Sequence, residues 1–285
     1  RTAGGSVTKN PEQIRKSKPH LVRFFLDGNI ERMLLNYQIK GDGEPLVILH
    51  GLFGTLENWG SQIKTLAEHF QVIAVDMRNH GRSPHSDEMS YPAMADDIAE
   101  LMTHLELDSA LILGHSMGGK AAMQLALSHP EKVKRLIIAD ISPVQYTPHH
   151  DDVFEGLFAI NLENLKSRSE ADKVLAEKVP ELSVRAFLLK NLYRNESGGF
   201  SWRMNLPALH SEYIHISKPP AGKPFQGPTL FIKGANSDYI LPEHREQILE
   251  LFPTATYKLI QGAGHWPHAE KPELFSKLVL NFLQA

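Results

Sequence analysis

The pentapeptide Gly114-His115-Ser116-Met117-Gly118 constrains this chain more than any other stretch. It follows the apolar run Ala110 to Leu113 and leads into a helix-like stretch from Gly119 to Ser128, so the local reading is strand, sharp turn, helix. Side chains flanking the serine in so tight a turn would collide with neighbouring backbone, and glycine removes that collision. A Gly-x-Ser-x-Gly turn of this kind lifts one hydroxyl to the carboxyl edge of a parallel sheet as a candidate nucleophile.

The rest of the chain agrees with such a sheet. Runs rich in Val, Ile and Leu alternate with amphipathic stretches, the pattern of a mostly parallel sheet covered on both faces. Eight strands are predicted, at Leu21 to Leu26, Arg32 to Ile39, Pro45 to His50, Gln71 to Val75, Ala110 to Leu113, Arg135 to Ala139, Thr229 to Lys233 and Thr256 to Ile260. Asp27-Gly28-Asn29 separates the first two as a hairpin turn. Helices are predicted at 55–69, 91–105, 119–128, 242–251 and 271–283. The alternation breaks after Asp140, where helical patterns at 152–165, 169–179 and 181–193 predict a helical lid over residues 142–226, inserted into a core of 21–141 and 227–285. The Pro/Gly-rich segment Lys218 to Pro228 is predicted to be its irregular return path.

With 285 residues, 42% of them hydrophobic, the chain can bury a full core. No apolar run approaches the ~18–20 residues of a membrane span. Arg1, Lys9, Arg15, Lys16 and Lys18 against Glu12 give the first twenty residues a charge of +4 within an overall −3. Those residues are expected to be a flexible basic leader or an expression remnant, and the acidic remainder argues against nucleic acid as a partner. The chain has no cysteine, which rules out thiol chemistry and disulfides and fits a cytoplasmic location, as well as a periplasmic protein that does without disulfides.

A serine nucleophile needs a base. His265, in Gly262-Ala-Gly-His-Trp-Pro-His268 directly after the last predicted strand, is the candidate, whereas His268 is expected to pack locally. Oxyanion donors are expected from the backbone N–H groups of Met117 and of Leu52, in the Gly-rich loop His50-Gly-Leu-Phe-Gly54. Two acids end strands at the same edge, Asp140 and Asp238, and position alone does not choose between them. Phe53, His115, Trp266, Tyr239 and Phe187, with Phe154 and Phe158, are the candidate pocket residues. Arg78 and His80 are expected to pin adjacent loops, Lys120 to face solvent, and His149-His150-Asp151-Asp152 to form a solvated hinge rather than a metal site.

Five segments together make a more specific match: Val75-Asp-Met-Arg-Asn-His-Gly81, Gly114-His-Ser-Met-Gly-Gly-Lys120, Asp140-Ile-Ser-Pro143, Gly234-Ala-Asn-Ser237 and Gly262-Ala-Gly-His-Trp-Pro-His-Ala-Glu270. From about Pro45 to the C-terminus, lid segments included, the sequence resembles the YbfF-type bacterial esterases and their mitochondrial abhydrolase-domain relatives. The resemblance implies an α/β-hydrolase fold and cofactor-free hydrolysis of acyl esters or thioesters, mostly with short or medium chains, as small-molecule substrates. It also implies Asp140 as the acid, with Ser237 standing where other α/β-hydrolases carry theirs. Carbon–carbon bond cleavage on the same fold, or a ligand-binding receptor, are the alternatives.

Overall fold

The structure, a computed structural model, describes residues 33–285. The first predicted strand, its hairpin turn and the basic leader lie outside those residues.

Seven strands form one sheet: β1 (Tyr37–Lys40), β2 (Pro45–Leu49), β3 (Gln71–Val75), β4 (Ala110–His115), β5 (Val133–Ala139), β8 (Thr229–Gly234) and β9 (Ala255–Ile260), in the order β1-β3-β2-β4-β5-β8-β9. β1 runs antiparallel to β3, and every other neighbouring pair is parallel. Seven of the eight predicted strands are therefore in place, although the second begins only at Tyr37.

Alternation along the strands sends side chains to two separate cores. Val47, Leu49, Ile73, Val75 and Ile112 pack with Met94, Ile98, Ala121 and Leu125, which come from α2 (Tyr91–His104) and α3 (Met117–Ser128). Leu46, Ile48, Val72, Ala74, Leu111 and Leu113 pack on the opposite face with Ile63, Leu66, Phe275 and Val279, from α1 (Gly60–Leu66) and α11 (Pro272–Leu283). α2 starts where the Ser90 hydroxyl accepts the Ala93 N–H at 3.3 Å and Pro92 needs no partner. The predicted helix over 55–69 begins instead as a 3-10 turn, Leu56–Trp59, because the Asp76 carboxylate takes the Leu56 N–H at 2.8 Å. The helix predicted over 242–251 likewise opens as a 3-10 turn before α9 (Arg245–Leu251).

Between β5 and β8 the chain folds into α4 (Asp151–Phe158), α5 (Arg168–Leu175), α6 (Leu182–Leu188), a hairpin of β6 (Leu192–Arg194) and β7 (Phe200–Trp202), α7 (Leu206–Ser211) and α8 (Tyr213–Ser217). The helix predicted over 181–193 is present as α6 and a 3-10 turn up to Asn191, and the hairpin takes over only its last two residues. The hairpin's turn, Asn195-Glu196-Ser197-Gly198-Gly199, carries Gly198 at φ +85° between two strand-prone triplets, a signal present in the sequence. The return segment after α8 is irregular, as predicted, and is tied to α3 by Gln124, whose amide group both donates to and accepts from Ala221. α10 (Pro267–Glu270) follows β9. Among the described residues, no helix is long and apolar enough to cross a membrane.

Candidate active site

Strand order reverses between β2 and β4: the chain moves outward from β2 to β3 and then returns to β4 on the other side. Loops leaving such a pair part to opposite faces and open a crevice at the carboxyl edge of the sheet. Ser116 stands at that edge with φ 53° and ψ −121°, between β4 and the first turn of α3. Its N–H is held by the Ala139 carbonyl at 3.1 Å. The turn leaves no room around it, since a Cβ on Gly118 would lie 2.4 Å from the His50 carbonyl oxygen.

His265, in the loop after β9, reaches Ser116 Oγ with Nε2 at 3.0 Å and Asp140 Oδ2 with Nδ1 at 2.8 Å. Asp140 follows β5 and is fully buried. Its other oxygen accepts the Gly234 N–H at 2.9 Å, and the Ser237 hydroxyl donates to Oδ2. A buried carboxylate with three donors around it is held in one orientation. Asp238 is exposed and lies outside this chain of contacts. The imidazole of His265 is fixed further by the Tyr239 ring, stacked at 3.9 Å between centroids. Its backbone is fixed by His115 Nε2, which donates to the His265 carbonyl at 2.7 Å, and by Glu270, which accepts the N–H groups of Gly264 and Trp266 on either side. His268 is buried, stacked flat on Trp59 with centroids 4.2 Å apart, so it packs locally as its sequence position suggests.

The loop after β2 brings Leu52 towards the same point. Among the described residues no acceptor takes up the N–H of Leu52 or of Met117, which leaves two donors beside the Ser116 hydroxyl. The loop is clamped at Phe53, which adopts φ 61°: His80 Nε2 accepts its N–H at 3.1 Å, and Asn191 Nδ2 from the insertion donates to its carbonyl at 2.7 Å. His80 itself is oriented by donating from Nδ1 to the Arg78 carbonyl at 2.8 Å, while Arg78 forms a buried ion pair with Asp97 at 2.6 Å. His50 adds a second tie by accepting the Met77 N–H at 3.0 Å.

Burial pushes His50 down to about 4, and burial together with the neighbouring His50 pushes His80 down to about 3. Burial also lowers His268 to about 3. Such rings bind fewer protons folded than unfolded at any pH between those values and 6.5. Their contribution to stability is therefore complete above 6.5 and is lost as the pH falls towards 4 and then 3. These rings are expected to leave the melting temperature unchanged above about pH 6.5 and to make it fall below that, before the carboxylate range is reached. Calorimetry across that interval checks this, and a curve level down to about pH 4 would contradict neutral burial of these rings.

A cavity of about 260 Å³ opens beside Ser116, and five of the seven sequence-predicted pocket residues, Phe53, His115, Phe187, Tyr239 and Trp266, line it. Phe154 instead packs behind Phe53, with centroids 5.3 Å apart, and Phe158 is exposed, so neither reaches the cavity. His149 and His150 also line it, where they bond the hydroxyls of Tyr239 and Tyr213, while His149, Asp151 and Asp152 remain exposed as expected of a solvated segment. Lys120 corrects its expectation outright: it is 1% exposed and faces the insertion, not solvent.

A mostly parallel sheet with this nucleophile turn at its switch point defines an α/β-hydrolase. The family described as "alpha/beta hydrolase fold" matches residues 44–272. The chain is 38% identical over 250 residues to esterase YbfF of Escherichia coli, covering 86% of this chain and 95% of that protein. It is 43% identical over 272 residues to the mouse sn-1-specific diacylglycerol lipase ABHD11, covering 90% and 87% respectively. A solved marine microorganism esterase superposes with a TM-score of 0.86 at 42% identity, covering 88% of this chain and 99% of that one. The chain belongs to the YbfF-type esterase family of α/β-hydrolases and is an enzyme of the hydrolase type.

Proposed function

We propose that the protein is a serine hydrolase that cleaves short- to medium-chain carboxylic esters or acyl thioesters through an acyl-enzyme. The observation that carries this reading is the continuous path from Ser116 Oγ through both ring nitrogens of His265 to Asp140, beside the two untaken N–H groups of Leu52 and Met117. Ester-cleaving names among the relatives support the same class.

In this reading His265 Nε2 removes the Ser116 proton as Oγ attacks the acyl carbonyl carbon, and the negative oxygen turns to the Leu52 and Met117 N–H groups. His265 then gives its proton to the departing alcohol or thiol. A water, deprotonated by the same nitrogen, cleaves the acyl-serine and returns the hydroxyl. Asp140 keeps Nδ1 protonated throughout, so that Nε2 is the nitrogen free to accept. The insertion acts as a lid that shapes the acyl cavity, and no metal or cofactor takes part.

The test is kcat/KM for matched oxyester and coenzyme A thioester series. A chain-length optimum, with a burst of product equal to the enzyme concentration, is the expected result. Absence of turnover on both series would leave carbon–carbon cleavage as the reading to pursue.

A further inference from the structure

Lys120 lies one helical turn beyond Ser116, its N–H bonded to the Ser116 carbonyl at 3.0 Å. Its ammonium crosses to the insertion and donates to the carbonyls of Val144 at 2.8 Å, Ser217 at 3.1 Å and Lys218 at 2.7 Å. Val144 belongs to the leading end of the insertion, and Ser217 and Lys218 to its trailing end. One cation therefore joins the two. Nζ also sits 4.6 Å from the Tyr146 ring centroid and 5.7 Å from that of Tyr91. Burial pushes this amine down to about 7, while three carbonyls and two ring faces act to keep it charged.

Lys120 lines the same cavity as Ser116, among the buried residues Tyr91, Ile141 and Ile216, whereas the half-buried Val184, Phe187 and Trp266 lie towards solvent. The inner wall is thus closed by an ammonium bound to backbone carbonyls, with Tyr91 donating to the Ile216 carbonyl at 2.6 Å beside it. All three ammonium donors are taken, so the wall offers no donor to a substrate anion. An apolar chain cannot push the cation aside either, because that would strand a buried charge and three buried carbonyls.

We propose that Lys120 determines specificity at this site by fixing the inner wall of the acyl cavity and so the longest chain accepted; this rests on the acyl-hydrolase reading above. Lys120→Met keeps a side chain of similar length and removes the charge that joins the lid ends. The measurement is kcat/KM on p-nitrophenyl esters from two to about twelve carbons for both proteins, each normalised by labelling of Ser116 with a fluorophosphonate. The ratio of long- to short-chain kcat/KM is expected to rise about ten-fold, the discrimination that a methylene or two carries in an apolar pocket. If that variant does not fold, Lys120→Gln, which loses the charge and one donor, is put through the same comparison, with a smaller rise expected. A folded variant with the wild-type ratio, including one whose activity falls equally on all chains, overturns the proposal and leaves the hydrolase reading intact. Wild-type protein that cleaves none of the esters removes both.

Discussion

Ser116→Ala is expected to lower kcat on any acyl ester that the wild type cleaves by on the order of 10⁵- to 10⁶-fold, with substrate still bound. Nothing else near His265 can take over the attack, because Nε2 points at Oγ and the remaining neighbours are the Tyr239 ring and buried, neutral histidines. The variant should also fail to form the acyl adduct that mass spectrometry would find on the wild-type peptide carrying Ser116. Its fold should persist, since the Ala139 carbonyl bonds the backbone N–H of this residue and not its side chain. A variant that keeps the wild-type rate would place the nucleophile elsewhere.

The second large effect separates two acids that are both strand-end residues. Asp140→Asn is expected to cost about 10⁴-fold in kcat. The Gly234 N–H would hold the amide oxygen of the new residue where it holds Oδ1 now, turning the NH₂ group towards His265 Nδ1. That nitrogen would then have to accept, the proton would sit on Nε2, and Nε2 could no longer take one from Ser116. Asp238→Asn, at an exposed position off the path, should stay within about two-fold of wild type. The kcat of the two variants on one substrate decides the matter, and a reversed order would move the acid role to Asp238.

Ser116 and His265 were legible because their signals are local: a turn that admits only glycine around a serine, and a histidine directly behind the last strand. Asp140 against Asp238 was not legible from position. The choice depends on the Gly234 N–H and the Ser237 hydroxyl, which reach Asp140 only across the β5–β8 pairing. Lys120 carries a signal that is readable in the sequence. From Met117 to Leu127 α3 is buried all round, and its only strongly polar side chains, Lys120 and Gln124, stand four residues apart on one face. Polar groups so placed must find partners inside the protein, and both find backbone of the insertion and its return segment. His80 pins the neighbouring loop as its place after β3 predicts, whereas Asn191 gives no such signal, because its target is the backbone of Phe53, a residue far from it in sequence.

Phe53, Ser116 and Asp140 each hold a left-handed backbone, with φ of 61°, 53° and 52°, at or just beyond the ends of β2, β4 and β5. Glycine would adopt those angles with less strain, by ~1–2 kcal/mol at each position. A chain selected only to stay folded would drift towards glycine at all three. Phenylalanine, serine and aspartate at these positions place backbone strain at the carboxyl edge of the sheet. Strain of this kind persists only where the surrounding structure over-determines it, and the two cores beneath the rim supply that packing.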